Sequence, residues 1–340
     1  MPRTEHDFLG DRELPDHAYY GVQTLRATEN FPISGVYLHR FPDFVVALVY
    51  VKKAAALTNH ELRVLTKLQQ DAIVGACDEI ISGKLHDQFV VDMIQGGAGT
   101  STNMNANEVI ANRGLELMGR GKGAYEHLHP NDHVNCSQST NDAYPTAIKL
   151  AVVMAVKGAV TSLGELHAAF EGKEREFADV IKMGRTEEQD AVPMTLGREF
   201  GAYATMVREA TARIEEAGRH MLGINMGATA IGTGINSPPG YAELVTQKLR
   251  EVSGIPVLKA ANRPRTRGNS WRCRPPSSAR LCRSRKSPPT SVSSPRGRAA
   301  VSARSSSRHS SPAHRSCRAR SIPSCRRWST RSATRSSAAT

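Results

Sequence analysis

Cysteine is scarce over most of this 340-residue chain, because only Cys77 and Cys136 occur before residue 263. Two cysteines so far apart do not form the disulfide framework of a small secreted domain. No run of 18 or more apolar residues occurs, and the N-terminus lacks the basic-then-apolar pattern of a secretory signal. These absences argue against secreted and membrane-bound classes, and they favour a cytoplasmic protein with no membrane partner.

Acidic residues are missing from the last part of the chain. Residues 263–340 contain 19 Arg, 1 Lys, 21 Ser and 8 Pro, but no Asp, Glu, Phe, Tyr or Met. The whole chain carries a net charge of +13, whereas residues 1–262 hold 25 basic and 32 acidic residues, a net charge of −7. The basic charge therefore belongs to the tail and predicts no nucleic-acid partner for the rest.

Helical spacing of apolar residues dominates the first 262 residues, and alternating strand patterns are scarce. The predicted helices are Phe44–Leu65, Thr66–Ile81, Glu108–Gly119, Pro145–Gly172, Pro193–Leu222 and a helix that follows Ser237 and ends near Gly254. Residues 1–35 are predicted to be rich in loops. We expect an all-α fold, with a helical N-terminal domain over residues 1–142 and a central domain of long bundled helices over residues 143–262.

Three polar segments precede or link these helices: Gly99–Asn105, Ser137–Asp142 and Gly184–Asp190. Each is dense in hydroxyl and amide groups. Such groups, together with the free N–H groups at a helix start, can hold small carboxylates. Taken singly, each segment is more typical of ordinary cap and turn residues than of a binding site.

Longer strings are more specific than these short segments. They are Thr4–Gly10 (TEHDFLG), Ala18–Thr24 (AYYGVQT), Gly96–Thr100 (GGAGT), His129–Asn135 (HPNDHVN) and Gly227–Gly234 (GATAIGTG). Through them the chain resembles the aspartate ammonia-lyases of the fumarase/aspartase superfamily, over residue 1 to about residue 262. Ser139-Thr140 followed by Asn141–Tyr144 is similar to aspartases, since related fumarate hydratases usually show Ser-Ser and a Phe.

The resemblance implies an activity and a site. Enzymes of this family reversibly eliminate ammonia from L-aspartate to give fumarate, use no organic cofactor, and form homotetramers whose active sites combine three subunits. Divalent-metal activation is an open alternative. By motif match, the implied substrate-binding residues are Thr100, Ser139 and Thr140 around the β-carboxylate, Asn141 at the amino group and Thr186 at the α-carboxylate. Glu187 stands where relatives often carry His or Gln.

The histidines in and near the HPNDHVN string suggest two further sites. By resemblance, His129, Asn131 and Asp132 form a secondary anion site. Three histidines, at 127, 129 and 133, also suggest zinc, but no acidic or cysteine partner stands at ligand spacing, so no metal site is predicted.

The catalytic base of the family lies on a loop with the pattern Gly-Ser-Ser-x-Met-Pro-x-Lys-x-Asn, which does not occur in this chain. No catalytic residue is therefore assigned, the C-terminal domain is expected to be missing, and the chain as written is expected to be inactive. Read one base out of frame, the codons for Pro312–Ser324 permit Gly-Ser-Ser-Ile-Met-Pro-Gly-Lys-Val-Asn-Pro-Val. Those for Arg265–Gly268 permit Asp-Thr-Gly, which the family also leads us to expect. We infer a frameshift near Asn262, with the tail disordered.

Two other functions stay open. One is fumarate hydratase, the nearest enzymatic relative. The other is a non-catalytic helical protein whose basic tail binds RNA or another polyanion.

Overall fold

The computed structural model describes residues 2–97 and 99–260. The frameshift and the disordered tail lie outside these residues and stay predictions. The described helices are α1 (Val22–Asn30), α2 (Pro42–Glu61), α3 (Lys67–Ile81), α4 (Thr100–Leu117), α5 (Thr140–Glu176), α6 (Leu196–His220) and α7 (Tyr241–Ser253). The strands are β1 (Arg3–Asp7), β2 (Gly10–Leu14), β3 (Ile181–Thr186), β4 (Gln189–Thr195), β5 (Gly223–Ile224) and β6 (Leu258–Lys259).

The core surrounds α2, which packs against α3, α4, α5 and α7. This helix is apolar on nearly all sides, as a helix enclosed by others must be. One cluster of buried apolar side chains runs from Ala27 to Val257 and therefore includes residues from both predicted domains. The mostly helical fold is confirmed, while the domain boundary near residue 142 stays a prediction.

Residues 1–35 are more regular than predicted. Strands β1 and β2 form an antiparallel hairpin in which Asp7 pairs with Gly10, and α1 follows. The guanidinium of Arg26 on α1 donates to both carboxylate oxygens of Asp7 at 3.0 Å and to the carbonyl of Gly10 at 2.9 Å. The strands are short and polar, so their alternation is too weak to read from the sequence.

Helix α4 begins eight residues earlier than predicted, because the polar segment Gly99–Asn105 is its first turns and not a loop. Polarity suggested exposure, yet Ser101, Thr102, Asn103 and Asn105 are all buried. Most of the polar groups with a defined contact are paired, which makes their burial tolerable: Asn103 Oδ1 accepts from Lys52, the Thr102 amide donates to Gln95, and Asn105 Nδ2 donates to the carbonyl of Gln88. Asn105 Oδ1 has no partner among the described residues.

Helices α5 and α6 form a long antiparallel arm that ends in the β3–β4 hairpin. The segment predicted as a polar loop at Gly184–Asp190 is this hairpin, and Pro193 lies in β4 instead of opening α6. Its two-residue turn, Glu187-Glu188, has φ values of +52° and +64°, as a mirror-image turn requires. Glycine or asparagine usually occupies such positions, so two glutamates did not predict a hairpin turn here.

Helix α5 is also long and apolar enough to cross a membrane, judged by length and composition, with a mean hydropathy of 1.6 over 18 residues. This is weak evidence, since core helices of soluble proteins pass the same test. Only 11% of that stretch is buried within one chain. Along its outer side six exposed residues alternate in steps of three and four, which is the spacing of a helix-packing seam. This open seam consists of Val152, Ala155, Ala159, Ser162, Leu166 and Ala169.

Candidate active site

The N-termini of α4 and α5 lie side by side. Gly99, which precedes α4, is so close to the ring of Tyr144 on α5 that an added Cβ would lie 2.4 Å from three ring atoms. This contact brings Thr100 to the start of α5, where Ser139, Thr140 and Asn141 follow one another. These four of the five predicted substrate-binding residues are half-buried, so they combine a fixed position with access from solvent.

Ser139 is the cap of α5, which begins at Thr140, five residues before the predicted start at Pro145. Its hydroxyl accepts from the Asn141 amide at 3.2 Å, and its own amide donates to Asp142 Oδ1 at 2.9 Å, completing a capping box. Pro145 lies inside α5, not at its first position. Because proline has no N–H, the carbonyl of Asn141 loses its helical donor, and Asn225 Nδ2 donates to it at 3.2 Å.

Asp142 binds the glycine-rich segment Gly227–Gly234 to this helix start. Its Oδ2 accepts from the amides of Gly227 at 3.2 Å and Thr229 at 2.8 Å. Asn141 Nδ2 donates to the carbonyl of Ala230 at 2.9 Å. Because its side-chain amide N–H donates to Ala230, Asn141 would offer its Oδ1 as an acceptor to a substrate donor. Asp142 is fully buried, and burial raises its pKa to about 6.

The half-buried Gln95 and the buried Asp92 support the start of α4. Gln95 accepts from the Thr102 amide at 2.9 Å and donates to the Thr102 hydroxyl at 2.8 Å. Asp92 anchors the preceding segment by accepting from the amides of Ser34, Gly35 and Ile94 at 2.7–2.9 Å. Despite the cost of burial, these hydrogen bonds lower the pKa of Asp92 to about 2, so it is ionised at neutral pH.

Thr186 lies apart from the other predicted substrate-binding residues. It ends β3, beyond the far end of α5, and a 37-residue helix is about 55 Å long. Within one chain, Thr186 therefore does not reach the site at Thr140.

The predicted secondary anion residues lie together in a short π-helical turn, Pro130–Val134. The amides of Asn131 and Asp132 both donate to His129 Nδ1 at 3.2 Å, so the His129 ring occupies them. His133 Nδ1 accepts from the His129 amide at 2.8 Å. An anion here would therefore not bind through the backbone amides of Asn131 and Asp132, and this site stays a prediction.

The model of a lyase family matches residues 10–267 of this chain. The chain belongs to this lyase family. The aspartate ammonia-lyase of Helicobacter pylori (strain ATCC 700392 / 26695) is 55% identical over 260 residues, which is 76% of this chain and 56% of that relative. The chain thus spans little more than half the length of this relative.

Solved structures of lyases agree with this assignment. Fumarate lyase:delta crystallin from Brucella melitensis, bound to cobalt, is 56% identical with a TM-score of 0.75, covering 77% of this chain and 57% of that one. Recombinant class II fumarase from Schistosoma mansoni is 34% identical with a TM-score of 0.70, covering 77% and 58%. These similarities confirm the superfamily predicted from the sequence strings.

The lyase fold also uses residues that sequence reasoning missed. Lys52 on α2 is fully buried, and its ammonium donates to Asn103 Oδ1 at 2.7 Å and to Asn135 Oδ1 and Gln138 Oε1 at 2.9 Å. The signal was available, because Lys52 stands on the apolar side of a helix that is otherwise core. Glu108 was also missed; it accepts from the amides of Gly21, Gln23 and Thr24 at the start of α1, at 2.9–3.0 Å.

No group of three or more His, Cys, Asp or Glu side chains in residues 2–97 and 99–260 of this lyase could hold a metal ion. The three histidines at 127, 129 and 133 do not form such a group. The absence of a metal site stays a prediction, and divalent-metal activation stays open.

Proposed function

We propose that this chain is the substrate-binding part of an aspartate ammonia-lyase, which reversibly eliminates ammonia from L-aspartate to give fumarate. The observation that carries this proposal is the pairing of two helix N-termini, at Gly99–Thr100 and Ser139–Asn141. Each N-terminus carries a partial positive charge and N–H groups suited to a carboxylate. The 55% identity to an aspartate ammonia-lyase supports the choice of substrate.

Elimination requires a base to remove a proton from the carbon next to the β-carboxylate, which then carries a second negative charge. Donors directed at that charge stabilise it more than they stabilise the substrate. In our assignment Thr100, Ser139 and Thr140 supply those donors, and Asn141 accepts from the amino group. The serine base belongs to a family motif that the 340 residues do not contain. The chain alone is therefore proposed to bind substrate without catalysing its reaction.

We also propose that Thr186 serves the site of another copy, as the distance of about 55 Å along α5 requires. The open seam of α5 supports assembly, because exposed apolar side chains at helix-packing spacing are stabilised by a covering helix. A homotetramer is the proposed state, with a cytoplasmic location and no organic cofactor. The cobalt-bound relative leaves room for metal activation.

Replacing Leu166 by Glu is expected to break this assembly. Leu166 is 43% exposed in one chain and is a large apolar residue of the open seam, so a charge there would face apolar surface of another copy. Sedimentation velocity should show the wild type larger than a monomer and L166E smaller. Ala168→Glu adds the same charge to the more polar side of α5 and should leave the size unchanged. Equal sizes for wild type and L166E would contradict the proposal.

A chimera tests the activity directly. Residues 2–262 of this chain are joined to the C-terminal part of the Helicobacter pylori aspartate ammonia-lyase that lies beyond the matched region. The chimera is expected to form fumarate from L-aspartate, whereas the chain alone should form none. Thr140→Val in the chimera should lower kcat/KM by roughly 100-fold, as loss of one oxyanion donor does.

The products separate the alternatives. Fumarate formed from malate but not from aspartate would identify a fumarate hydratase, the class of the Schistosoma mansoni relative. A folded chimera without either activity, together with salt-sensitive RNA binding by the original chain, would favour a non-catalytic protein with a polyanion-binding tail.

A further inference from the structure

Lys52 occupies an unusual environment for a lysine. It lies in the middle of α2, without solvent exposure, among the residues of the core. An ammonium group has three N–H donors. Three side-chain amide oxygens, from Asn103, Asn135 and Gln138, lie 2.7–2.9 Å from Nζ and match those donors one to one.

The three acceptors come from the two elements that form the proposed site. Asn103 lies in the first turn of α4, three residues after Thr100. Asn135 and Gln138 lie in the segment that leads directly into Ser139. Asn103 Nδ2 also donates to Asn135 Oδ1 at 3.0 Å. One ammonium therefore links the start of α4 to the segment that leads into α5.

The charge of Lys52 is not neutralised by these contacts, because all three acceptors are uncharged amides. The nearby Asp142 attracts the ammonium, but its own oxygens accept from backbone amides of Ser139, Gly227 and Thr229. A buried charge acts at longer range than an exposed one, since little water screens it. The ammonium thus adds a positive charge behind two helix N-termini that already favour anions.

We propose that Lys52 is the positioning residue of the dicarboxylate site: it holds the starts of α4 and α5 at a fixed separation and supplies positive potential behind them. The proposal deepens the proposed function and rests on it. The structural part can be measured without any ligand, so the two can fail separately.

The experiment compares Lys52→Met with Lys53→Met in the full chain. Lys53 is the next residue of α2 and pairs instead with Asp78 on α3, so both variants lose one positive charge from the same helix. This matching matters because residues 263–340 carry 20 basic residues that attract anions non-specifically. The two measurements are amide hydrogen exchange without ligand and calorimetric titration with fumarate.

In K52M, exchange is expected to rise in the first turns of α4 and α5, with α7 and the β3–β4 hairpin unchanged, and fumarate affinity should fall by about tenfold or more. K53M should match the wild type in both measurements. Equal exchange and equal affinity in K52M and K53M would overturn the proposal. If the wild type does not bind fumarate, the proposed function fails, and exchange alone decides whether Lys52 positions the helices.

The pH profile separates the charge of Lys52 from its structural role. Burial lowers the pKa of Lys52 to about 7, so its positive charge is lost as the pH rises through that value, and fumarate affinity should fall. The titratable groups facing it are Asp142, whose pKa is about 6, and Cys77, whose pKa burial raises above its usual range. K52M keeps both, so the part of the profile that K52M loses belongs to Lys52. If the fumarate affinities of the wild type and K52M depend on pH in the same way, the proposed electrostatic role of Lys52 is contradicted.

If K52M does not fold, Gln138→Leu removes one acceptor from a half-buried position and keeps Lys52. It is expected to raise exchange in the first turn of α5 but not in α4, because the bond to Asn103 remains. Equal rises in both helices, or none, would oppose the proposal.

Discussion

Replacing Asp142 by Ala is expected to destabilise the protein by about 3–5 kcal/mol, the range for removing one partner of a buried charged network. The change leaves the amides of Ser139, Gly227 and Thr229 without their acceptor and leaves Lys52 without a nearby opposite charge. Unfolding in urea, followed by circular dichroism, measures the loss. Fumarate affinity should fall as well, because the glycine-rich segment then separates from the start of α5.

Asp190→Ala is the matched control, since it removes the same charge from a side chain that is 65% exposed and paired with Arg185. Exposed pairs contribute little, so its midpoint in urea should stay close to that of the wild type. If both variants unfold at the same urea concentration, Asp142 does not have the structural role assigned here.

Replacing Gly99 by Ala is expected to have the second large effect, about 2–5 kcal/mol from left-handed backbone strain and overpacking together. Gly99 has φ +85°, and its added Cβ would lie 2.4 Å from the Tyr144 ring. Tyr144 is itself buried and packs against Phe44, with ring centroids 5.7 Å apart. The starts of α4 and α5 would have to move apart, which should weaken fumarate binding.

Gly119→Ala separates the two causes. Gly119 also has a left-handed backbone, with φ +70°, but nothing lies within 4 Å of the position of its added Cβ. It should cost only the backbone part, about 1–2 kcal/mol. The excess loss in G99A measures the contact with Tyr144, and equal losses in urea unfolding would argue against close packing of the two helix starts.

The long helices were predictable because a wide apolar face repeats over many turns. The predicted start of α3 was correct to one residue, since Thr66 and Gln69 form a capping box. The β3–β4 hairpin was missed because its turn uses two glutamates with positive φ. The start of α4 was misplaced because buried polar side chains look like loop residues until their partners are known.

The candidate site also combines features that the sequence predicted with features that it did not. Resemblance to family motifs was enough to select Thr100 and Ser139–Asn141, and the structure brings them together. It does not bring Thr186 to them within one chain, because the whole length of α5 intervenes. No local sequence pattern shows how far Thr186 lies from the other residues. That distance depends on how long α5 is and on how the elements pack.

The sequence by itself determined the superfamily, the mostly helical fold and the residues that present hydroxyl and amide groups. Only the tertiary structure decided how those groups are held. Lys52 reads as one more basic residue until α4 and the segment before α5 place three amide oxygens around it. Asp142 reads as a helix cap until it binds amides more than 80 residues away. Burial is a property of the packed molecule. Because Lys52 and Asp142 are buried, their charges interact strongly with the groups of the site that they hold.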